Sequence, residues 1–394
     1  MSEKAHITPK VLKWARESAK MTLEAAASKI PNLTAEKLAE WEDENSSSQP
    51  TISQAEKLAK TYKRPFSLFF LPDIPFDFMP LQDYRRKTAK PLGTASVFII
   101  REIQQKQAWI RDVFEENNES PLPFVGRFSI KDNPAMVAKD ILDTLQIIPA
   151  NYSKSNPILE WISKAEAKGI FVSRTSFINT RLKLDSDEFQ GFAIADTFAP
   201  FIFINSREFK APQLFSFVHE LAHIWIAQSG VSNEIDPELK HKDKMHPVEL
   251  FCNQVAANAL MPEEIMNEIK AEAFTNQYEV YKAAKIIGVS SFAFLVRAFN
   301  LNKISPAKYH QLKVEAEKAY NEFVKKDEER KLKQKLEKKG FADHYLLLLN
   351  KNGRLFTQIV LDAFRGGTIQ PSQASNLLNT QINNFPKLEN YIYG

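Results

Sequence analysis

His219-Glu220-Leu221-Ala222-His223 reads H-E-x-x-H inside Phe215–Ala227, an apolar run without glycine or proline. Such a run predicts a buried helix. Residues i and i+4 of a helix share one face about one turn apart, so both imidazoles can reach one metal ion. Glu220 is rotated about 100° from His219, beside the metal instead of on it. Two neutral nitrogen ligands and a carboxylate base for zinc-bound water are what a zinc hydrolase needs. The plainer alternative is a helix with two ordinary histidines. The flanks Phe217, Val218, Leu221, Ala222, Ile224, Trp225 and Ile226 weigh against it, because they bury the helix on most sides and make unpaired polar groups costly there.

Zinc also needs a third protein ligand and an open fourth position. His246-Pro247-Val248-Glu249 opens a second helix, with proline suited to its first turn. That helix runs through Phe251, Val255, Ala256, Ala259 and Leu260 and stops near Pro262. Glu249 lies 26 positions after His223, at the start of this apolar element. A carboxylate there is either a helix N-terminal charge favoured by the dipole or a third ligand turned inward.

The stretch Leu214–Asn233, then V-E-L-F-C-N at 248–253 and A-A-N-A-L-M-P at 256–262, resembles the ImmA/IrrE metallopeptidase family. The resemblance runs from about Pro91 to Ala273. It implies that His219, His223 and Glu249 bind Zn2+ and that Glu220 is the base. Cys252 stands where the family more often has alanine. The resemblance further implies a cytosolic regulatory endopeptidase that cleaves a partner protein, such as a transcriptional repressor.

Cys252 is the only cysteine, so no intrachain disulfide can form. With no export-signal pattern at the N-terminus, a reducing cytoplasm is the expected compartment. Cys252 falls three residues after Glu249 and is read as a buried hydrophobe, with a fourth metal ligand as the alternative. No apolar run approaches the ~20 residues of a membrane span. A net charge of +4 does not mark the whole chain as a nucleic-acid binder. With 394 residues, two or three domains are expected.

Residues 1–72 predict a compact helical unit, with helices at Pro9–Ser18, Thr22–Lys29, Thr34–Glu42, Ser53–Tyr62 and Pro65–Phe70. Two short helices joined at Ile30–Leu33 suggest a helix-turn-helix. Trp41-Glu42, Gln49-Pro50-Thr51 and Leu58-Ala59 resemble the Xre-type domain, which implies DNA binding through this part of the chain. The charge departs from that role. Glu36, Glu40, Glu42, Asp43 and Glu44 face Lys37 alone on the candidate recognition helix, and Glu44 replaces the family's glycine. Lys10, Lys13, Arg16 and Lys20 are candidate phosphate contacts. DNA binding and a dimerisation or partner-docking role therefore both stand. The corresponding second function class is a transcriptional regulator or antitoxin-like protein that uses a peptidase fold for sensing or docking.

A connector with Pro75, Pro80, Arg85-Arg86-Lys87 and Pro91 spans 73–95 and is expected to be extended. Helices follow at Val97–Glu116, Asn133–Leu145 and Ile158–Ala167, then strands at Gly169–Ser173, Gly191–Ala195 and Pro200–Asn205, the last two as a hairpin. The fold class is α+β, mostly helical, with a zincin-like core at 96–273 built on a small sheet. Residues 274–394 are expected to be mainly helical. They include Val280–Gly288, Ser290–Phe299, a Lys/Glu-rich helix at Lys313–Lys339, and Leu346–Leu349 as a strand or helix. His241, His246 and Tyr278 are candidates, by residue type alone, for stabilising a tetrahedral intermediate. Substrate is expected to add to a sheet edge; zincin proteases, which this core resembles, use the strand before the one leading to the motif helix, and the resemblance implies Gly191, Phe192, Ala193, Ile194 and Ala195. The alternative is that this strand is interior. The sequence carries no sign of oligomeric state.

Overall fold

The computed structural model describes residues 3–78, 80–84, 90–149, 151, 156–179, 182–207, 210–232, 246–336 and 343–394. Arg85-Arg86-Lys87 and His241 lie outside them. The chain divides into two compact units, Met1–Pro80 with Lys90–Gln104 and Phe177–Glu188, and Leu81–Ala89 with Gln105–Ser176 and Phe189–Gly394. It is α+β and mostly helical.

The first unit begins with helices Pro9–Ser18, Leu23–Ala27, Ala35–Glu42 and Ile52–Tyr62 and a 3-10 turn at Phe66–Phe70. Threonines set three of the helix starts: Thr22, Thr34 and Thr51 each accept a backbone N–H, and Thr51 closes a capping box with Gln54. Asn32 turns the chain between the second and third helices at φ 58°. Val11, Leu12, Ala15, Leu38, Trp41, Leu58, Tyr62 and Phe69 form the core. Arg16 and Glu42 are both buried and pair at 2.8 Å.

The second unit is built on a mixed sheet of β1 (Gln82–Asp83), β2 (Phe171–Thr175), β5 (Gly191–Ile194), β6 (Phe201–Asn205) and β7 (Gly230–Ser232), in the order β1-β7-β5-β6-β2. A separate hairpin, β3 (Phe177–Asn179) and β4 (Leu182–Lys183), belongs to the first unit. The β5–β6 hairpin is antiparallel, with Phe192 opposite Phe203. β6 is buried at every position and pairs parallel with β2, Phe171 opposite Phe201. Continuous apolar strands of this kind are covered on both faces.

The H-E-x-x-H helix spans Lys210–Trp225 and packs on β5 and β6. The helix that carries Glu249, Pro247–Leu260, packs on it and on Pro134–Leu145. Helices Gln277–Ile287 and Ser291–Asn300 join the same core through Val280, Ala284, Phe294 and Leu295. Among the described residues no single helix is long and apolar enough to cross a membrane. The Lys/Glu-rich helix runs Pro306–Leu336, starting before the expected Lys313 because Ser305 accepts the Lys308 N–H. The remainder is helical, at His344–Asn352, Arg354–Arg365, Pro371–Leu378 and Phe385–Tyr393. His344–Asn352 lies against β2, where Ser173 Oγ donates to Lys351 O. Gly353 (φ 87°) passes so close that a Cβ would stand 2.4 Å from Val172 O. The β2 side of the sheet is thus covered by the chain itself.

One expectation is corrected here. Gly191–Ala195 is not an edge: β5 pairs with β6 on one side and antiparallel with β7 on the other, Gly191 opposite Ser232. The cause is β7, a three-residue strand that returns from the motif helix and fills the edge.

Candidate metal centre

Apolar residues bury the H-E-x-x-H helix so thoroughly that His219, Glu220 and His223 are each 0 % exposed. Glu249, in the first turn of the facing helix, is 4 % exposed. The helix pairing brings three donors to one point. His219 Nε2 and His223 Nε2 are 3.1 Å apart, and the Glu249 carboxylate oxygens lie 3.2 Å from the first and 3.1 Å from the second. Tetrahedral ligands at about 2.0–2.1 Å from zinc stand about 3.3–3.4 Å from one another. The triangle is therefore the size a zinc site requires, and its donor set of two imidazoles and a carboxylate matches zinc chemistry.

Both rings are held in the orientation a metal needs. Nδ1 of His219 is 2.9 Å from Asn253 Oδ1, and Nδ1 of His223 is 3.2 Å from the Gln228 carbonyl. With each oxygen accepting from an Nδ1–H, each Nε2 is left free to act as a ligand atom. Asn253 is one turn after Glu249 and so shares its face. The Gln228 carbonyl is delivered by a tight turn after the helix, with Ala227 at φ 50°. Gly126 N–H and Phe128 N–H cap the carbonyls of Ile224 and Trp225.

Electrostatics follow from burial and proximity. Burial holds the His223 imidazole below its ordinary value, against the opposing pull of Glu249. Burial would raise Glu249, but the charge and hydrogen bonds of His219 and His223 outweigh it and hold the carboxyl low. Burial pushes the Glu220 carboxyl well above the usual carboxylate range, and the negative charge of Glu249 adds to the shift. Neither Glu220 oxygen has a hydrogen-bond partner among the described residues. A buried carboxyl with a shifted pKa beside three clustered donors marks a candidate functional group. Gly191 makes its room: a Cβ there would lie 2.9 Å from Glu220 Oε1 and 3.0 Å from Phe203 O.

Cys252 is fully buried among core side chains, outside the three-residue donor group, and burial pushes its thiol up. His246 caps the second helix by accepting the Val248 N–H at 3.3 Å. Tyr278 is exposed on Gln277–Ile287. Asn253, Ser232, Gln228 and Tyr84 had no role assigned from the sequence. Ser232 Oγ donates to Glu249 Oε1 at 3.2 Å. Tyr84 stacks on the His223 ring with centroids 5.5 Å apart and planes at 21°. The i, i+4 spacing of Glu249 and Asn253 was the one available signal for any of these.

The sheet, the two facing helices and the donor triangle define a metallopeptidase-like core. Residues 165–299 match the Peptidase_M78 family model, described as the IrrE N-terminal-like domain. This covers about a third of the chain and supports the resemblance to ImmA/IrrE proteins. No curated protein matches the chain.

Proposed function

We propose that this protein is a zinc-dependent endopeptidase that cleaves a partner protein. The observation that carries the reading is the buried, unpartnered Glu220 beside the triangle of His219, His223 and Glu249. Those three residues would hold the ion, and zinc held there supplies a Lewis acid that lowers the pKa of water and polarises a peptide carbonyl. Glu220 takes the proton of the attacking water and delivers it to the leaving nitrogen. Asn253 and the Gln228 carbonyl keep the imidazoles aimed. Gly191 leaves the carboxylate space to move.

For residues 1–72 we propose docking of a protein partner, a repressor being the leading class, in place of DNA reading. Glu36 and Glu40 are exposed on the candidate recognition helix, and its one lysine, Lys37, is paired to Glu40 at 2.6 Å. Arg16 is buried against Glu42. On that helix little positive charge is left to meet phosphate, and Lys10 of the first helix is paired to Asp73, although Lys13 and Lys20 stay exposed.

The test is substrate capture with Glu220→Gln. The variant should retain a bound protein that the wild type cuts. Cleavage of the captured protein at the same rate by both forms would contradict the role of Glu220.

A further inference from the structure

A peptidase must hold an extended backbone beside its metal, and pairing with a sheet edge is the general means. Among the described residues, β2 is covered by the C-terminal helices and β5 is interior. At the other end of the sheet β1 is outermost, so without β1 the edge is the outer side of β7. It runs past the metal ligands: Ser232 Oγ donates to Glu249, and Gln228, two residues before β7, accepts from His223.

That edge is filled by the connector. β1 pairs parallel with β7, Gln82 opposite Gly230 and Asp83 opposite Val231, and Tyr84 N–H donates to Val231 O at 3.2 Å. Gln82 and Asp83 are exposed, whereas Tyr84 is 7 % exposed. The Tyr84 ring stacks on His223 and lies 4.9 Å from the His246 ring, and its hydroxyl donates to Gln228 Oε1 at 3.0 Å. The floor beneath the ring is Gly230, where a Cβ would stand 2.2 Å from two ring carbons. A glycine at this point of a buried strand leaves a recess for an aromatic ring beside a metal ligand. β1 is only two residues long, and a strand that short is a light anchor for so central a position.

We propose that the β7 edge is the peptide-binding site of this centre, and that Gln82–Tyr84 occupies it as an internal competitor. An incoming extended peptide pairs with Gly230–Ser232 in place of β1. It puts an aromatic side chain into the recess over Gly230, against His223 and His246. The substrate class is thus an extended segment with an aromatic residue next to the cleaved bond. The competitor is flanked in sequence on both sides by residues of the N-terminal unit, Pro80 before and Lys90 after. This inference rests on the peptidase reading above.

The probes are two short peptide hydroxamates, one with phenylalanine and one with alanine beside the hydroxamate. Their affinities are measured on the full-length zinc-loaded chain, with zinc content determined on each sample. Tyr84→Ser should bind the phenylalanine probe ten- to a hundredfold more tightly than wild type, which corresponds to a strap open about a tenth to a hundredth of the time. The alanine probe should gain as well, because the strap is gone for both. Gly230→Ala fills the recess, so it should bind the alanine probe more tightly than wild type and lose the preference for phenylalanine. Full zinc with unchanged affinities in both variants would overturn the strap alone. A zinc-free wild type would overturn the metal reading beneath it.

Discussion

Asn253→Ala should weaken zinc binding more than it weakens the fold. Asn253 Oδ1 is the acceptor, at 2.9 Å, that fixes the His219 Nδ1 proton, and the two residues are 2 % and 0 % exposed. Removing it leaves an imidazole N–H with no acceptor in a dry site and frees the ring to turn its wrong nitrogen toward the metal. Losing such an outer partner typically lowers metal affinity by about 10- to 100-fold. That is about 1.4–2.7 kcal/mol, within the roughly 1–3 kcal/mol cost of a stranded buried donor. The metal-free protein should lose less, because Asn253 Nδ2 is itself a buried amide without a partner and disappears in the same substitution. Competition with a chromophoric chelator gives the affinity, and urea unfolding of the metal-free form gives the stability. Asn253→Asp keeps an acceptor in place and should retain wild-type affinity or exceed it. Wild-type zinc affinity in Asn253→Ala, or equal loss in the alanine and aspartate variants, would refute the orienting role.

Glu220→Gln should keep zinc and lose about 10²- to 10⁴-fold in hydrolysis, measured on a cleaved partner at matched metal content, since an amide cannot take the proton. Glu166, which accepts the Leu355 N–H, has its carboxyl pushed by burial from 4.5 up to about 7. Its folded value exceeds its unfolded one, so its contribution is complete below pH 4.5 and is lost as pH rises through about 7, a swing of about 3 kcal/mol. Urea unfolding at pH 4 and pH 8 should show Glu166→Gln gaining on wild type by that order at the higher pH; parallel behaviour would refute it. Arg16→Met should cost about 3–5 kcal/mol of urea stability by stranding buried Glu42, and adding Glu42→Leu should restore most of it. If residues 1–72 bind DNA after all, affinity will fall steeply with salt and Lys37→Ala will lower it; the docking reading predicts no binding to duplex DNA near physiological ionic strength.

The parts of the site legible in the sequence were those with a period. His219 and His223 at i, i+4 within an apolar run place two ligands and a helix at once, and Glu249 stood out as a lone charge opening a second apolar helix. The β5–β6 hairpin was readable from two apolar runs with Asp196–Ala199 between them. β1 and β7, at two and three residues, are too short to show alternation, and missing them turned an interior strand into an apparent edge. The clearance at Gly191 serves the Glu220 carboxylate, a pairing that no local sequence pattern shows. Leu346–Leu349 fits strand or helix by composition. Asp343, which caps the first N–H groups, and Gly353, which ends the segment, decide for helix. Tyr84 could not be placed beside His223 from sequence, because nothing local links positions 139 residues apart.

The central claim is a metal held by His219, His223 and Glu249. Elemental analysis of wild type and Glu249→Ala, purified in parallel without chelators, tests it most directly. The account predicts one zinc per wild-type chain and loss of most of it in Glu249→Ala, with helical content preserved. Wild type without zinc, or Glu249→Ala retaining a full equivalent, would contradict it.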